Sequence, residues 1–289
     1  MTTLFEDLDQ QTAEAYHLVL SATGIGCRVI RTEATFCIDV PDAQVAQARD
    51  TVEQYLAENA GRMQEAPKTV GSVADAIDVS GVGVALMLLA VHAAVATSAA
   101  PRDYVAAFGA QAGLITEGQW YRCATALLLH ADAAHLAGNM AGMALFGGAV
   151  SAMIGSGVAW LLILVCGMIG NAVNAMVASA GHLSVGASTA VFSAVGFLCA
   201  IRAVDAVRTG RGWKSVGIFL GVGAGLLAFL GSGAQSDLSA HLFGLLAGGF
   251  AGLVYGGASV RRLGPRGQAA SGFLAAALLL LAWFRGMTG

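Results

Sequence analysis

From residue 79 onward the chain is a succession of long apolar runs separated by short polar breaks; before it, apolar residues recur singly. A helix needs ~20 apolar residues to cross a bilayer core. Segments 79–100, 135–154, 158–179, 188–204, 216–230 and 238–256 are the predicted spans, with a shorter Leu-rich seventh at 269–284. The semi-polar stretch 101–129 is too long for a simple turn and is expected in or on the outer leaflet. The first 58 residues pattern differently. Ala13, Tyr16, Val19 and Leu20 recur at helical spacing over 8–22 until Gly24 and Gly26 break the run. Residues 27–31 and 35–40 alternate as strands around a tight turn at 32–34. Pro41-Asp42 opens a second helix to about residue 58, with Val45, Ala48, Val52 and Leu56 on one face. The pattern predicts a small soluble α-β-β-α domain over 1–58, a linker over 59–73 and a membrane-embedded domain over 74–289. The fold class is thus an all-α polytopic membrane protein, a six-helix core with a seventh C-terminal helix, carrying a small α/β N-terminal domain.

Composition sharpens this. Of 289 residues 56% are hydrophobic and only 11% charged, against roughly 25% charged in a soluble domain. That excludes a disordered chain, a coiled coil and an ordinary soluble enzyme. The 39 glycines point to closely packed helices. Charge is uneven: residues 1–68 hold 11 acids and 5 bases, the remainder 10 bases and 7 acids. Nothing resembles a nucleic-acid footprint. Arg202, Arg208, Arg211 and Lys214 follow the fourth span, and Arg261, Arg262 and Arg266 the sixth, whereas the opposite connections carry Arg102 and Arg122. Lysine and arginine mark cytoplasmic loops, so the N-terminus is expected in the cytoplasm and residues 181–186 and 232–237 outside, the protein being a multi-pass component of the cell inner membrane. The acidic, polar first residues predict no secretory signal. The five cysteines form no CxxC pair, which argues against zinc and thioredoxin-like chemistry; Cys27 and Cys37 are expected as neighbours across a hairpin and, in the cytosol, reduced.

Polar groups inside spans are costly and mark function. His130, His135 and Asn139 stand at the outer end of the second span, Ser188 opens the fourth, and His241 lies about one turn into the sixth. These three spans run in the same direction, so the five residues share one depth. A serine nucleophile needs a base, and His241 is at the right depth. Ser188 starts a helix, so its N–H is a donor at the positive helix end. His135 and Asn139, four residues apart on one helical face, can donate to the same point, and Gly186 permits a sharp entry into the fourth span. Asp237, four residues before His241, is read as a helix cap rather than a third catalytic member. His92 and His182 are read as incidental, Asn171 and Asn174 as hydrogen-bonding between helices. No carboxylate or cysteine completes a metal site with His130 and His135.

Here the residues resemble a family. Gly186-Ala187-Ser188-Thr189 with Gly196 is similar to the GxSx motif of rhomboid intramembrane serine proteases. His130-x4-His135-x3-Asn139 resembles their second-helix motif, Ala240-His241-x2-Gly244-x3-Gly248 their sixth-helix motif, and Trp120-Tyr121-Arg122 their first-loop element. The N-terminal domain resembles, more loosely, cytosolic domains of some bacterial rhomboids. The resemblance implies Ser188 as nucleophile and His241 as base. His135, Asn139 and the Ser188 amide would form an oxyanion site, with His130 bracing the first loop. Phe192 would pack on the His241 ring, Gly196 and Gly244 would let two helices approach, and the loop after the fifth span would be a movable cap. It implies no cofactor. The substrates would be single-span membrane proteins within the lipid bilayer, cleaved near the outer face; oligomeric state is left open. Two departures stand out. Thr189 occupies a usual glycine position, so a branched side chain is expected against the oxyanion pocket. Ser151 replaces an acid that often partners the first loop. The alternative readings are a catalytically silent relative that binds membrane clients and a small transporter, which would need mid-membrane charged pairs or inverted repeats.

Overall fold

A computed structural model describes residues 1–32, 35–59, 78–210, 212–230, 237–258 and 262–288. The expected linker over 60–73, the expected turn at 33–34, the loop over 232–236 expected to act as a cap, Arg211 and Arg261 lie outside the described residues. The chain divides into two compact units, Met1–Val70 and Gly71–Gly289.

In the first unit, strand β1 (Thr2–Leu8) precedes helix α1 (Gln10–Ala22), strands β2 (Arg28–Arg31) and β3 (Phe36–Val40), and helix α2 (Val45–Asn59). All pairing is antiparallel, in the order β1-β3-β2. The order is therefore β-α-β-β-α, a correction to the α-β-β-α expectation. β1 lacks a clear strand pattern in the sequence: its pairing with β3 shifts register twice and Asp7 adopts a positive φ of 55°. These irregularities break the period-2 alternation that betrays a half-buried strand. The Asp9 carboxylate accepts from the Thr12 N–H at 2.8 Å and sets the start of α1 at Gln10 rather than Leu8. The helices cover one sheet face through Tyr16, Leu20, Ile25, Ile38, Val40, Ala48 and Val52, all buried. Ile30, not Cys27, lies opposite Cys37 in the β2-β3 ladder, so the two cysteines are not neighbours across it, and both are free thiols.

The second unit is helical. It begins with α3 (Ser80–Ala96), then a structured first loop made of α4 (Pro101–Phe108), strand β4 (Ala110–Gln111), α5 (Ala112–Thr116) and α6 (Arg122–Thr125). The second span is α7 (Ala133–Gly142) and α8 (Gly148–Ile154) joined by a π-helical turn, Met143–Gly147. Next come α9 (Ser156–Val177), strand β5 (Leu183–Ser184), α10 (Ser188–Arg208), α11 (Gly212–Leu230), α12 (Leu238–Gly257) and α13 (Pro265–Thr288). Among the described residues five helices are long and apolar enough to cross a membrane, with α3 and residues 212–228 as shorter apolar helices. This is a multi-pass membrane protein, and the seventh helix, at 24 residues, is longer than its sequence signal.

α10 is the axis of this unit. Thr189 through Phe197 are all buried along it, as befits a helix surrounded by others. α12 lies against it through glycines: a Cβ on Gly244 would overlap the Thr189 carbonyl, one on Gly248 the Ser193 carbonyl, and one on Gly196 the Leu245 carbonyl. Only bare backbone permits that approach. The first loop anchors itself. Buried Arg122 donates from Nη1 to the carbonyls of Ala106 and Gly109 at 2.8 and 2.9 Å, and the Thr125 hydroxyl donates to the Phe108 carbonyl at 2.7 Å. β4 pairs with β5, and Trp283 of α13 stacks on Phe108 with ring centroids 4.2 Å apart. Ser151 is spent elsewhere: it accepts from the Ser80 hydroxyl at 3.3 Å, and that hydroxyl in turn accepts from Trp160 Nε1 at 2.8 Å. At its other end α13 is held by Gln268, whose amide bridges the Ile154 carbonyl and the Val158 N–H across the α8–α9 turn.

Candidate active site

Ser188 is the first residue of α10, and His241 sits in the first turn of α12. The glycine-mediated seam between these helices brings residues 53 apart in sequence together: the Ser188 hydroxyl lies 2.6 Å from His241 Nε2. That is hydrogen-bonding distance, the geometric condition for passing a proton. The His241 ring is buried and stacks on Phe192, one turn after Ser188, with centroids 4.8 Å apart and planes 28° from parallel. The stack fixes the ring plane, while Ser188 itself is half-buried and reachable.

The chain reaches Ser188 through a bend that glycine alone accommodates. Gly186 has φ +130°, and its N–H donates to the Ala126 carbonyl at 2.9 Å. A Cβ there would come within 2.7 Å of the His135 ring and 3.5 Å of Asn139 Nδ2. His135 and Asn139 thus flank the backbone just before Ser188. Asn139 Nδ2 is buried with no hydrogen-bond partner among the described residues. A buried donor without an acceptor is rare and demands a reason. His130 lies behind this wall, its ring centroid 5.3 Å from that of His135, and its Nε2 accepts from the Ala187 N–H at 3.4 Å. Burial, then the neighbouring His135 and His92, push the His130 pKa down to about 4, so the ring is neutral and can accept. His130 therefore supports the residue before the serine as well as neighbouring the first loop.

Thr189 does not crowd this pocket. Its methyl Cγ2 is directed between α9 and α12, 2.6 Å from where a Cβ on Gly170 would stand and 3.1 Å from one on Gly244. The branched residue replaces glycine by using space that two other glycines leave. Asp237 is the N-cap of α12: its Oδ1 accepts from the Ala240 N–H at 3.1 Å and from Ser239 Oγ at 2.9 Å. Its Oδ2 is bonded to Asn174 Nδ2 at 2.8 Å and His182 Nε2 at 2.6 Å. His182, read from sequence as incidental, and Asn174 therefore belong to the surroundings of the site. The clue in the sequence was a histidine six residues before the serine in a loop otherwise poor in charge. Asn171 donates to the Cys123 carbonyl at 3.0 Å, tying α9 to the first loop. Among the described residues no three His, Cys, Asp or Glu side chains gather as a metal site.

A family model described as the rhomboid domain matches residues 117–258, the segment that contains Ser188, His241, His130, His135, Asn139 and Asp237. The rhomboid protease GluP of Bacillus subtilis (strain 168) is 33% identical over 169 residues, 56% of this chain and 32% of GluP. From the same organism YdcA, named as a candidate rhomboid protease, is 32% identical over 134 residues, 46% of this chain and 66% of YdcA. The chain's match thus spans about a third of one relative and just under two thirds of the other.

Proposed function

The chain belongs to the rhomboid family, and from that premise we propose that it is an intramembrane serine endopeptidase working through Ser188 and His241. The observation that carries the reading is the 2.6 Å separation of the Ser188 hydroxyl from His241 Nε2.

Ser188 Oγ attacks the carbonyl carbon of the scissile peptide bond while its proton passes to His241 Nε2. The new oxyanion is met by the Ser188 N–H, a donor in the first turn of α10, and by His135 and Asn139 Nδ2. Collapse of the tetrahedral adduct breaks the C–N bond, and the departing amine takes the proton from His241. Water then attacks the Ser188 ester with His241 again as base, returning free serine and a new carboxyl end. One water is consumed and no cofactor is required. A residue presented to this site has to be extended, because a helical peptide bond is shielded by its own turn. The substrates we assign are single-span membrane proteins with easily unwound helices. The placement of Arg202, Arg208, Lys214, Arg262 and Arg266 supports an inner-membrane orientation with the N-terminal unit cytoplasmic and the site near the outer face.

The test is cleavage of a single-span reporter by the purified full chain in detergent, compared with Ser188→Ala and His241→Ala. Loss of cleavage in both variants is expected, with a fluorophosphonate label landing on Ser188. Equal cleavage by wild type and Ser188→Ala discards the dyad. Reporter binding without cleavage by any form would favour the non-catalytic relative instead.

A further inference from the structure

We propose that Asp237 is a positioning residue for the Ser188–His241 pair, clamping the start of the His241 helix to the loop that delivers Ser188. The inference rests on the dyad reading above and concerns residues that reading does not use.

The two reacting groups sit at the N-terminal ends of different helices, so their separation depends on what joins those ends. Asp237 joins them. On one side it caps α12, through Oδ1 to the Ala240 N–H, while its main-chain carbonyl accepts from the His241 N–H at 3.0 Å. On the other side Oδ2 holds Asn174 Nδ2 at 2.8 Å, in the last turn of α9, and His182 Nε2 at 2.6 Å, in the loop between α9 and α10. Asn174 is buried, and the Asp237 side chain is only 12% exposed. The same loop is pinned to the first loop, since the His182 carbonyl accepts from the Ala112 N–H at 2.9 Å and β5 follows at once. Six residues later comes Ser188. One carboxylate therefore links α9, the serine loop and the histidine helix. Both its oxygens are engaged away from the imidazole, so it acts through the backbone of α12 rather than by orienting the ring as a third catalytic member. Burial raises the Asp237 pKa, but hydrogen bonds from His182, the Ala240 N–H, Ser239 and Ser184 outweigh it and hold the group below the ordinary carboxylate value. The charged form is the one the clamp needs, since charge-assisted bonds are the strong ones.

The experiment uses the full chain in detergent. Asp237→Ala, Asp237→Asn and His182→Ala are compared with wild type, and Ser188→Ala is the control. Reporter kcat and KM, the rate of fluorophosphonate labelling and the melting temperature are read together. Displacing a base by about 1 Å can cost ~10²-fold, so Asp237→Ala is expected to lower kcat and the labelling rate by about tenfold or more. KM should stay within about twofold, as for an interaction that serves only the chemical step. Asp237→Asn keeps an oxygen for the Ala240 N–H and is expected to recover part of the rate; His182→Ala falls between. Labelling of Asp237→Ala within about twofold of wild type, or a lowered melting temperature with kcat unchanged, overturns the clamp. Equal loss in Asp237→Asn and Asp237→Ala also overturns it, because the asparagine still offers the Ala240 N–H an acceptor and a loss that ignores this cap does not come from holding the α12 end. If Ser188→Ala cleaves like wild type, the dyad reading itself has failed; if Ser188→Ala is dead while Asp237→Ala is fully active, only the clamp has.

Discussion

Asn139 illustrates how a single residue can be stable and yet incomplete. Its amide is buried beside Gly186 and donates to nothing among the described residues. The fold tolerates the lost bond because α7 is held by other means, including the Asp132 carboxylate that accepts from the His135 N–H at 2.8 Å. If the donor serves a transient oxyanion, Asn139→Ala lowers kcat by about 10²–10³ with little change in KM, as steady-state reporter kinetics will check. Asp237 supplies a second prediction. Its native pKa is lowered, so its stabilising contribution is fully present above the ordinary carboxylate range and is lost as pH falls through the lower native value. The melting temperature of wild type should therefore drop more steeply below about pH 4 than that of Asp237→Asn; parallel curves for the two would refute this.

Among elements, the α10–α12 seam decides whether the serine and the histidine meet. Ridges of side chains normally hold helices 8–10 Å apart. Here Gly196, Gly244 and Gly248 remove the ridge and let carbonyls approach the opposing helix. Gly248→Ala would drive a methyl into the Ser193 carbonyl and is expected to cost about 1–3 kcal/mol of overpacking, with activity lost in proportion. Gly221→Ala in α11, where a Cβ meets nothing within 4 Å, is the matched control and is expected to be neutral or to stabilise by up to ~1 kcal/mol. Thermal unfolding of both in detergent distinguishes a packing seam from a general glycine effect. The glycine spacing was plain in the sequence; which carbonyl each glycine faces was not, because that depends on the axial offset of the two helices.

For the membrane unit as a whole, α13 acts as a strut. Gln268 grips the α8–α9 turn, and fifteen residues on, Trp283 stacks on Phe108 of the first loop with planes 6° from parallel. The first loop in turn reaches the site through the Ala126 carbonyl and the β4–β5 pair. Trp283→Ala is expected to remove about 0.5–1.5 kcal/mol of stacking beyond its area term. The loss should appear as faster limited proteolysis within 101–129, ahead of global unfolding. Unchanged loop cleavage would mean that Arg122, Thr125, Asn171 and the β4–β5 pair hold the loop without help from α13.

The sequence by itself determined that apolar runs make up most of the chain, the order in which they come, and the residue types able to do chemistry. Each of these is a one-dimensional property: a run length, a periodicity or a motif. The extra strand β1 stayed hidden because two register shifts erase its period. The direction of the Thr189 methyl, the double engagement of Asp237 and the 2.6 Å contact of Ser188 with His241 were settled only by tertiary structure. The reason is physical: those features depend on how closely two helices approach and with what offset, and that follows from matched small residues on facing surfaces that no single segment contains.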